Sequence, residues 1–334
     1  MENYQQKVLV TRRSLKYTYY MSPSGESTKQ HPALLFLHGF PDSAHLWSGI
    51  VAMLCDLPNK IIIPDCLGYA GTDKPEDTNM YTYDGQADDL ADILNEESAE
   101  FSVIIGHDWG SALAQRTYLH NPELFSGMAL LNTAYMVPSD DPFDLTAINQ
   151  LTEKAFGYPQ FSYWDFFLSP DCPDIVDRNL DRMWQALHGD VEDWMKSLFC
   201  VPDAMRTFLL GSEDVPLKEY AKQSQWKDKF IQQFKSGDFA ASLQMYKATA
   251  SNIQSKSDAA IPKQNLAIEV PLLFIVCSKD AVCLREMMVL AEEQGLVPHL
   301  TEVVVDCAHW SPMEKPAEIA QHIKNFLMAL VPAQ

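Results

Sequence analysis

The stretch Phe101-Ser102-Val103-Ile104-Ile105-Gly106-His107-Asp108-Trp109-Gly110 decides how this chain is read. Residues 101–105 form an apolar run of the kind that makes a buried strand, and Ser111-Ala112-Leu113-Ala114-Gln115-Arg116 behind them reads as a helix. Between the two lies a tight turn bracketed by Gly106 and Gly110. Strand, glycine-flanked turn and helix together make a nucleophile elbow, the sharp bend that presents one side chain at the end of a sheet. That apex usually carries serine; here it carries Asp108. A carboxylate attacks strained or activated alkyl carbon and leaves an ester behind. Aspartate at a helix start also serves as a cap, but the position of Asp108 directly after His107, between two glycines, favours the nucleophile.

Outward from the elbow, short apolar runs alternate with helical patterns. Strands are expected at 15–20, 33–37, 61–63, 101–105, 128–131, 271–276 and 302–305, and helices near 43–56, 84–98, 109–120, 283–294 and 315–330. Continuous apolar strands separated by helices predict a doubly wound, mostly parallel α/β sheet covered on both faces. The alternation breaks between about 136 and 265, a stretch rich in aromatics, including Phe161, Tyr163, Trp164, Phe167 and Trp184. It reads as an inserted helical lid, placed to cover the strand ends where open α/β sheets bind ligands. The expected division is a core over 1–135, a cap over 136–265 and the rest of the core over 266–334, with polar residues 251–264 as the return linker.

Composition narrows the possible partners. Hydrophobic residues make up 47 % of the 334, enough for a sizeable core. A formal charge of −20 gives no electrostatic grip on nucleic acid or anionic lipid. No apolar stretch approaches the roughly 18 residues of a spanning helix, and the start, Met1-Glu2-Asn3-Tyr4-Gln5-Gln6, is polar. A soluble, cytoplasmic protein with no signal peptide and no membrane insertion is therefore expected. The seven cysteines (55, 66, 172, 200, 277, 283 and 307) form no CxxC pair, so neither a disulfide framework nor a metal site is expected.

A carboxylate nucleophile needs a base and an orienting acid. His309 lies just past the last expected strand and Asp280 just past the one before it. The order nucleophile, acid, histidine is that of an α/β-hydrolase triad. His38-Gly39-Phe40-Pro41 follows the strand at 33–37, so the backbone N–H groups of Phe40 and Trp109 are candidates to hold the oxyanion formed when an ester is hydrolysed. Pro41 has no N–H and cannot serve. His38 reads as a structural hydrogen-bonder. Trp164, Phe167 and Trp184 suggest an apolar substrate pocket.

The segments His38-Gly39-Phe40-Pro41, Pro64-Asp65-Cys66-Leu67-Gly68-Tyr69, Gly106-His107-Asp108-Trp109-Gly110, Leu131-Asn132-Thr133 and Ala308-His309-Trp310 resemble the motifs of α/β-hydrolase-fold epoxide hydrolases, closest in look to soluble members including fungal ones. That family holds the epoxide oxygen with two lid tyrosines. One lies in a segment resembling Phe161-Ser162-Tyr163-Trp164-Asp165-Phe166-Phe167, the other in one resembling Phe239-Ala240-Ala241-Ser242-Leu243-Gln244-Met245-Tyr246-Lys247. The resemblance thus implies Tyr163 and Tyr246 as donors. A phenol of pKa about 10 is protonated at neutral pH and can donate to a developing alkoxide. The implied reaction turns an epoxide and water into a vicinal diol through an ester on Asp108, with His309 and Asp280 activating the water. It needs no cofactor and no metal, and its implied partners are a small apolar epoxide and water. Two positions depart from the pattern: Ala70 and Ala308 stand where the family commonly has glycine.

Two alternatives remain. A haloalkane dehalogenase would use the same Asp108 and His309, but that family resembles His-Gly-Asn-Pro where this chain has Phe40. A fluoroacetate-type enzyme would place arginine after the nucleophile, where this chain has Trp109. The other alternative is a non-catalytic ligand-binding protein on the same scaffold.

Overall fold

In the computed structural model, which describes residue 1 and residues 3–330, the apolar runs join into one eight-stranded sheet. Residues 331–334, the end of the expected second core segment, lie outside the described residues. The strands are β1 (Gln5–Val10), β2 (Lys16–Met21), β3 (Ala33–Leu37), β4 (Ile61–Pro64), β5 (Ser102–His107), β6 (Phe125–Leu131), β7 (Leu272–Cys277) and β8 (Leu300–Val305). Their order across the sheet is β1-β2-β4-β3-β5-β6-β7-β8. The first two pairings, β1 with β2 and β2 with β4, are antiparallel, and β4 through β8 pair in parallel. β5, which carries the elbow, sits centrally and is buried along its whole length.

Successive residues of a strand point to opposite faces, and the core follows that alternation. Leu34, Phe36, Val103 and Ile105 share one apolar layer; Leu35, Leu37 and Ile104 share the other. Helices cover both: α1 (Ser48–Met53), α2 (Tyr83–Glu96) and α3 (Trp109–His120) follow β3, β4 and β5. Ile50 and Val51 of α1 join the first layer, and Leu90 of α2 with Leu113 of α3 join the second.

Between β6 and β7 the chain is helical. It runs through α4 (Leu145–Phe156), α5 (Tyr163–Phe167), α6 (Cys172–Asp177), α7 (Leu180–His188), α8 (Trp194–Phe199), α9 (Ala204–Leu210), α10 (Ser224–Phe234), α11 (Phe239–Ser242), α12 (Gln244–Ala250) and α13 (Ile253–Ala259). Local chemistry sets some of these ends. The Asp144 side chain accepts from Ala147 N at the start of α4, and Gly157, at φ 83°, ends that helix in the left-handed region. Tyr163, Phe167, Phe199 and Phe234 pack into the same apolar layer as Phe36 and Ile105, so cap and core share one interior. After β7 come α14 (Val289–Glu293), α15 (Ser311–Glu314) and α16 (Pro316–Leu330). Among the described residues no helix is long and apolar enough to cross a membrane.

Two expectations need correction. β1 was not foreseen, because an edge strand exposed along most of its length shows neither an apolar run nor clean alternation. Residues 251–264 do not form a simple linker. They contain α13, whose polar residues are spent on the core: Asp258 pairs with Arg116 at 2.6 Å, and Gln254 accepts from Tyr83 N at 3.0 Å.

Candidate active site

Parallel register gathers the chemistry at one edge of the sheet. Leu37 pairs with Gly106, His107 with Leu131 and Cys277 with Val305, so β3, β5, β6, β7 and β8 end together. Phe40, Asp108, Asn132, Asp280 and His309 each follow one of those ends within a few residues.

Asp108 occupies the bend itself, at φ 55° and ψ −125°, a conformation that non-glycine residues adopt only where the surroundings impose it. The flanking glycines allow it. A Cβ on Gly110 would lie 2.2 Å from the Leu37 carbonyl oxygen, and one on Gly106 would lie 2.4 Å from that of Gly110. The Asp108 carbonyl starts α3 by accepting from Ser111 N at 2.9 Å, but its side chain makes no capping bond to that helix. The carboxylate is instead 16 % exposed.

Phe40 N donates to Asp108 Oδ1 at 2.7 Å, and the adjacent Trp109 backbone favours the charged form of the carboxyl. His309 Nε2 lies 3.5 Å from Asp108 Oδ2, and His309 Nδ1 lies 2.7 Å from Asp280 Oδ2. Burial alone would raise the Asp108 pKa; the hydrogen bond and charge of His309, with help from His107 and the Trp109 backbone, outweigh it and hold the carboxyl below its ordinary value. His309 shows the reciprocal effect. Burial works against its charge, yet Asp280 and Asp108 raise it well above the ordinary imidazole value. Asp280 is also lowered: burial is overcome by the charge and hydrogen bond of His309, by Asn132 and by the Val282 amide. Each charge thus favours its neighbours: an imidazole drawn toward its protonated form lies between two carboxylates drawn toward their ionised form.

Rings wall the space over Asp108. Tyr163 on α5 and Tyr246 on α12 have ring centroids 6.2 Å apart. Tyr246 also packs edge-on against Trp109, Trp164, Phe40 and Phe167, at 5.1, 4.9, 5.3 and 5.2 Å. Burial, reinforced by neighbouring charge including that of Asp108, raises both phenols well above their usual pKa, so each keeps its proton. Of the three rings expected to line the pocket, Trp164 and Phe167 belong to this cluster and Trp184 does not. Trp184 donates to the Ala221 carbonyl at 3.2 Å and packs on His188 and Phe230, because α7 turns its apolar face into the cap interior.

A groove of about 750 Å³ approaches the histidine from another side. Leu187, Trp194 and Met195 of the cap and Ala308, His309 and Trp310 of the core line it. Asp280, Cys283 and His309 offer possible metal-ligating atoms within 4.8 Å of one another, but Asp280 and His309 direct theirs at each other.

Asn132 and Asp42 carried no assigned role in the sequence, whereas His38 was expected as a structural hydrogen-bonder. Asn132, at φ 67° beyond β6, donates through Nδ2 to Asp280 Oδ2 at 2.7 Å and to the His309 carbonyl at 2.9 Å. Its position directly after a strand beside β5 was the available signal. Asp42 accepts from Trp310 Nε1 at 3.2 Å, and burial with the nearby Asp108 charge pushes it up to about 7. His38 spends both ring nitrogens on backbone, at Gly39 O and Cys66 N, each 2.9 Å away. Of the two departures from the glycine pattern, Ala70 takes φ 40°, whereas Ala308 stays outside the positive-φ region.

The family model described as alpha/beta hydrolase fold matches residues 32–316. The chain is 27 % identical over 298 residues to "Bifunctional epoxide hydrolase 2" of Rattus norvegicus, covering 89 % of this chain and 51 % of the relative. It is 28 % identical to "Epoxide hydrolase A" of Mycobacterium tuberculosis, covering 90 % of this chain and 91 % of the relative. It is 22 % identical to "Epoxide hydrolase srdG" of Neurospora crassa, covering 96 % and 94 %. The chain thus spans about half the length of the mammalian relatives and nearly all of the microbial ones. Among solved structures, "Epoxide hydrolase from an endophytic Streptomyces" superposes with a TM-score of 0.81 at 21 % identity, covering 99 % of this chain and 97 % of that one, a likeness of fold.

Proposed function

Since the chain belongs to the alpha/beta hydrolase fold family, we propose that it is an epoxide hydrolase working through a covalent ester on Asp108. What supports the reading is the pair of buried phenols, Tyr163 and Tyr246, in one ring cluster with Phe40 and Trp109, the residues that flank the Asp108 carboxyl. The core segments 1–135 and 266–334 supply nucleophile, acid and base, and the cap over 136–265 supplies the phenols.

In the first half-reaction an Asp108 oxygen attacks one epoxide carbon from the side opposite the breaking C–O bond. The electron pair of that bond stays on the ring oxygen, which the two tyrosines hydrogen-bond and one of them protonates. The proton is made good from His309. Two effects then act on the imidazole together: it has given up its proton, and Asp108, now an ester, no longer carries the charge that helped keep it protonated. His309 is thereby converted into a base only after the substrate is captured. Oriented by Asp280, it takes a proton from water; the hydroxide attacks the ester carbonyl, and the Phe40 and Trp109 amides hold the oxyanion. Collapse releases the diol and restores the carboxylate and imidazolium.

The test is product analysis on the wild type and on Tyr163→Phe with Tyr246→Phe. The wild type is expected to make diols from aryl and alkyl epoxides and to release no chloride from chloroalkanes. The double variant is expected to lose ester formation by at least about a hundredfold, the scale of general acid catalysis. Chloride release with no diol would replace this reading by a dehalogenase, and tight binding without turnover would replace it by a ligand-binding protein.

A further inference from the structure

Trp164 presents a polar atom that the mechanism above leaves idle. Its indole Nε1–H is buried and has no hydrogen-bond partner among the described residues. Native interiors rarely tolerate an orphan donor, and indole can only donate. The ring itself is fixed: it stacks on Phe143 at 5.1 Å with planes 23° apart, and meets Tyr246 edge-on at 4.9 Å. It therefore does not swing away to find a partner.

Both phenols border this indole: Tyr246 lies 4.9 Å and its chain neighbour Tyr163 6.4 Å away between ring centroids. The indole N–H makes no bond of normal length and angle to the Tyr163 oxygen, yet it lies close enough to offset in part the burial that raises that phenol. The other phenol has a matching neighbour, since the Trp109 side chain acts on Tyr246 in the same sense. Each phenol thus has an indole donor behind it, and the one behind Tyr163 is unsatisfied at rest.

We propose that Trp164 is a positioning residue for ring opening, with its N–H held in reserve for the charge that develops on Tyr163. The inference rests on the epoxide-hydrolase reading. As Asp108 forms its C–O bond and the epoxide C–O bond breaks, the ring oxygen takes the phenol proton and the Tyr163 oxygen becomes phenolate. The indole N–H then has a strong acceptor where it previously had a weak one. A contact that strengthens only as charge develops lowers the barrier and leaves ground-state binding alone.

A double-mutant cycle on the full chain tests this, with styrene oxide as probe and rapid-quench mass spectrometry following ester formation and ester decay separately. Trp164→Phe keeps an aromatic ring, though a smaller one, and removes the N–H. It is expected to slow ester formation roughly tenfold, the order of one hydrogen bond to a charged group, while ester decay changes by less than about twofold. In a Tyr163→Phe background, where no phenolate can form, the same change is expected to cost less than about twofold. Ester decay is the internal control for a disturbed fold, because a general loss of structure slows both steps. Equal losses in both backgrounds, a loss shared between both steps, or no loss at all overturns the inference while the epoxide-hydrolase reading stands. A wild type that forms neither ester nor diol overturns both.

Discussion

At the scale of single residues, the site is governed by mutual charge between His309 and two carboxylates. The imidazole is raised by both, so removing one must lower it. Asp108→Asn is expected to shift the His309 titration to lower pH in histidine NMR spectra; an unchanged or raised value would refute the coupling that turns this residue into a base. The same shifts set a pH window for stability. His309, raised in the folded state, contributes fully below its unfolded pKa of about 6.5 and loses that contribution as pH rises through its folded value. Asp280 and Asp108, lowered in the folded state, contribute above about 4 and lose it as pH falls through their folded values. The three contributions are complete together between about pH 4 and 6.5.

At the scale of elements, the elbow depends on how closely β3, β5 and α3 approach. Gly110→Ala puts a Cβ 2.2 Å from the Leu37 carbonyl oxygen, a backbone atom that cannot step aside alone. The expected result is that α3 and β3 separate, taking the Phe40 amide away from Asp108. Activity should fall at least about a hundredfold, the cost of losing an oxyanion-hole donor, and the thermal midpoint should drop with it. Near-wild-type turnover by this variant would show that the close approach is not needed. These elements were legible because they are extreme cases: β3 and β5 are mostly apolar and buried along their whole length, and the bend between β5 and α3 is marked by glycines on both sides. β1 was illegible because exposure erases its pattern, and α13 because its polar residues look like a linker until Arg116 and Tyr83 are seen to bind them. Asn132 stood in a strand-end segment that the sequence displays, but its contacts, like the orphan N–H of Trp164, were illegible for another reason. Their significance lies in contacts between strand ends or neighbouring rings, which no spacing along the chain records. Trp184 shows the converse, since an aromatic residue in a cap is as readily packing as pocket wall.

At the scale of the molecule, cap and core are tied by a few buried polar contacts within a strongly acidic chain. Arg116 of α3 and Asp258 of α13 form a two-point ion pair at 2.6 and 2.8 Å, with side chains 4 % and 8 % exposed. Asp258→Asn leaves the guanidinium buried without its counter-charge and should cost about 3–5 kcal/mol in urea unfolding; a loss below about 1 kcal/mol, the scale of a surface pair, would mean the clamp contributes little. Lys218 of the cap reaches Glu314 of the core at 3.1 Å, and Glu314 in turn accepts from the Ala308 amide beside His309. The central claim, covalent capture of an epoxide on Asp108, is also readable on the whole molecule, as its mass. In His309→Gln ester formation should slow, because His309 also favours the charged Asp108 and returns the phenol proton, but the base is gone and the ester that forms should persist. Mixed with an epoxide and analysed intact, this variant is expected to gain the mass of one epoxide molecule, the gain mapping to Asp108 and disappearing when Asp108→Asn is added; no gain, or a gain that survives that second change, contradicts the account.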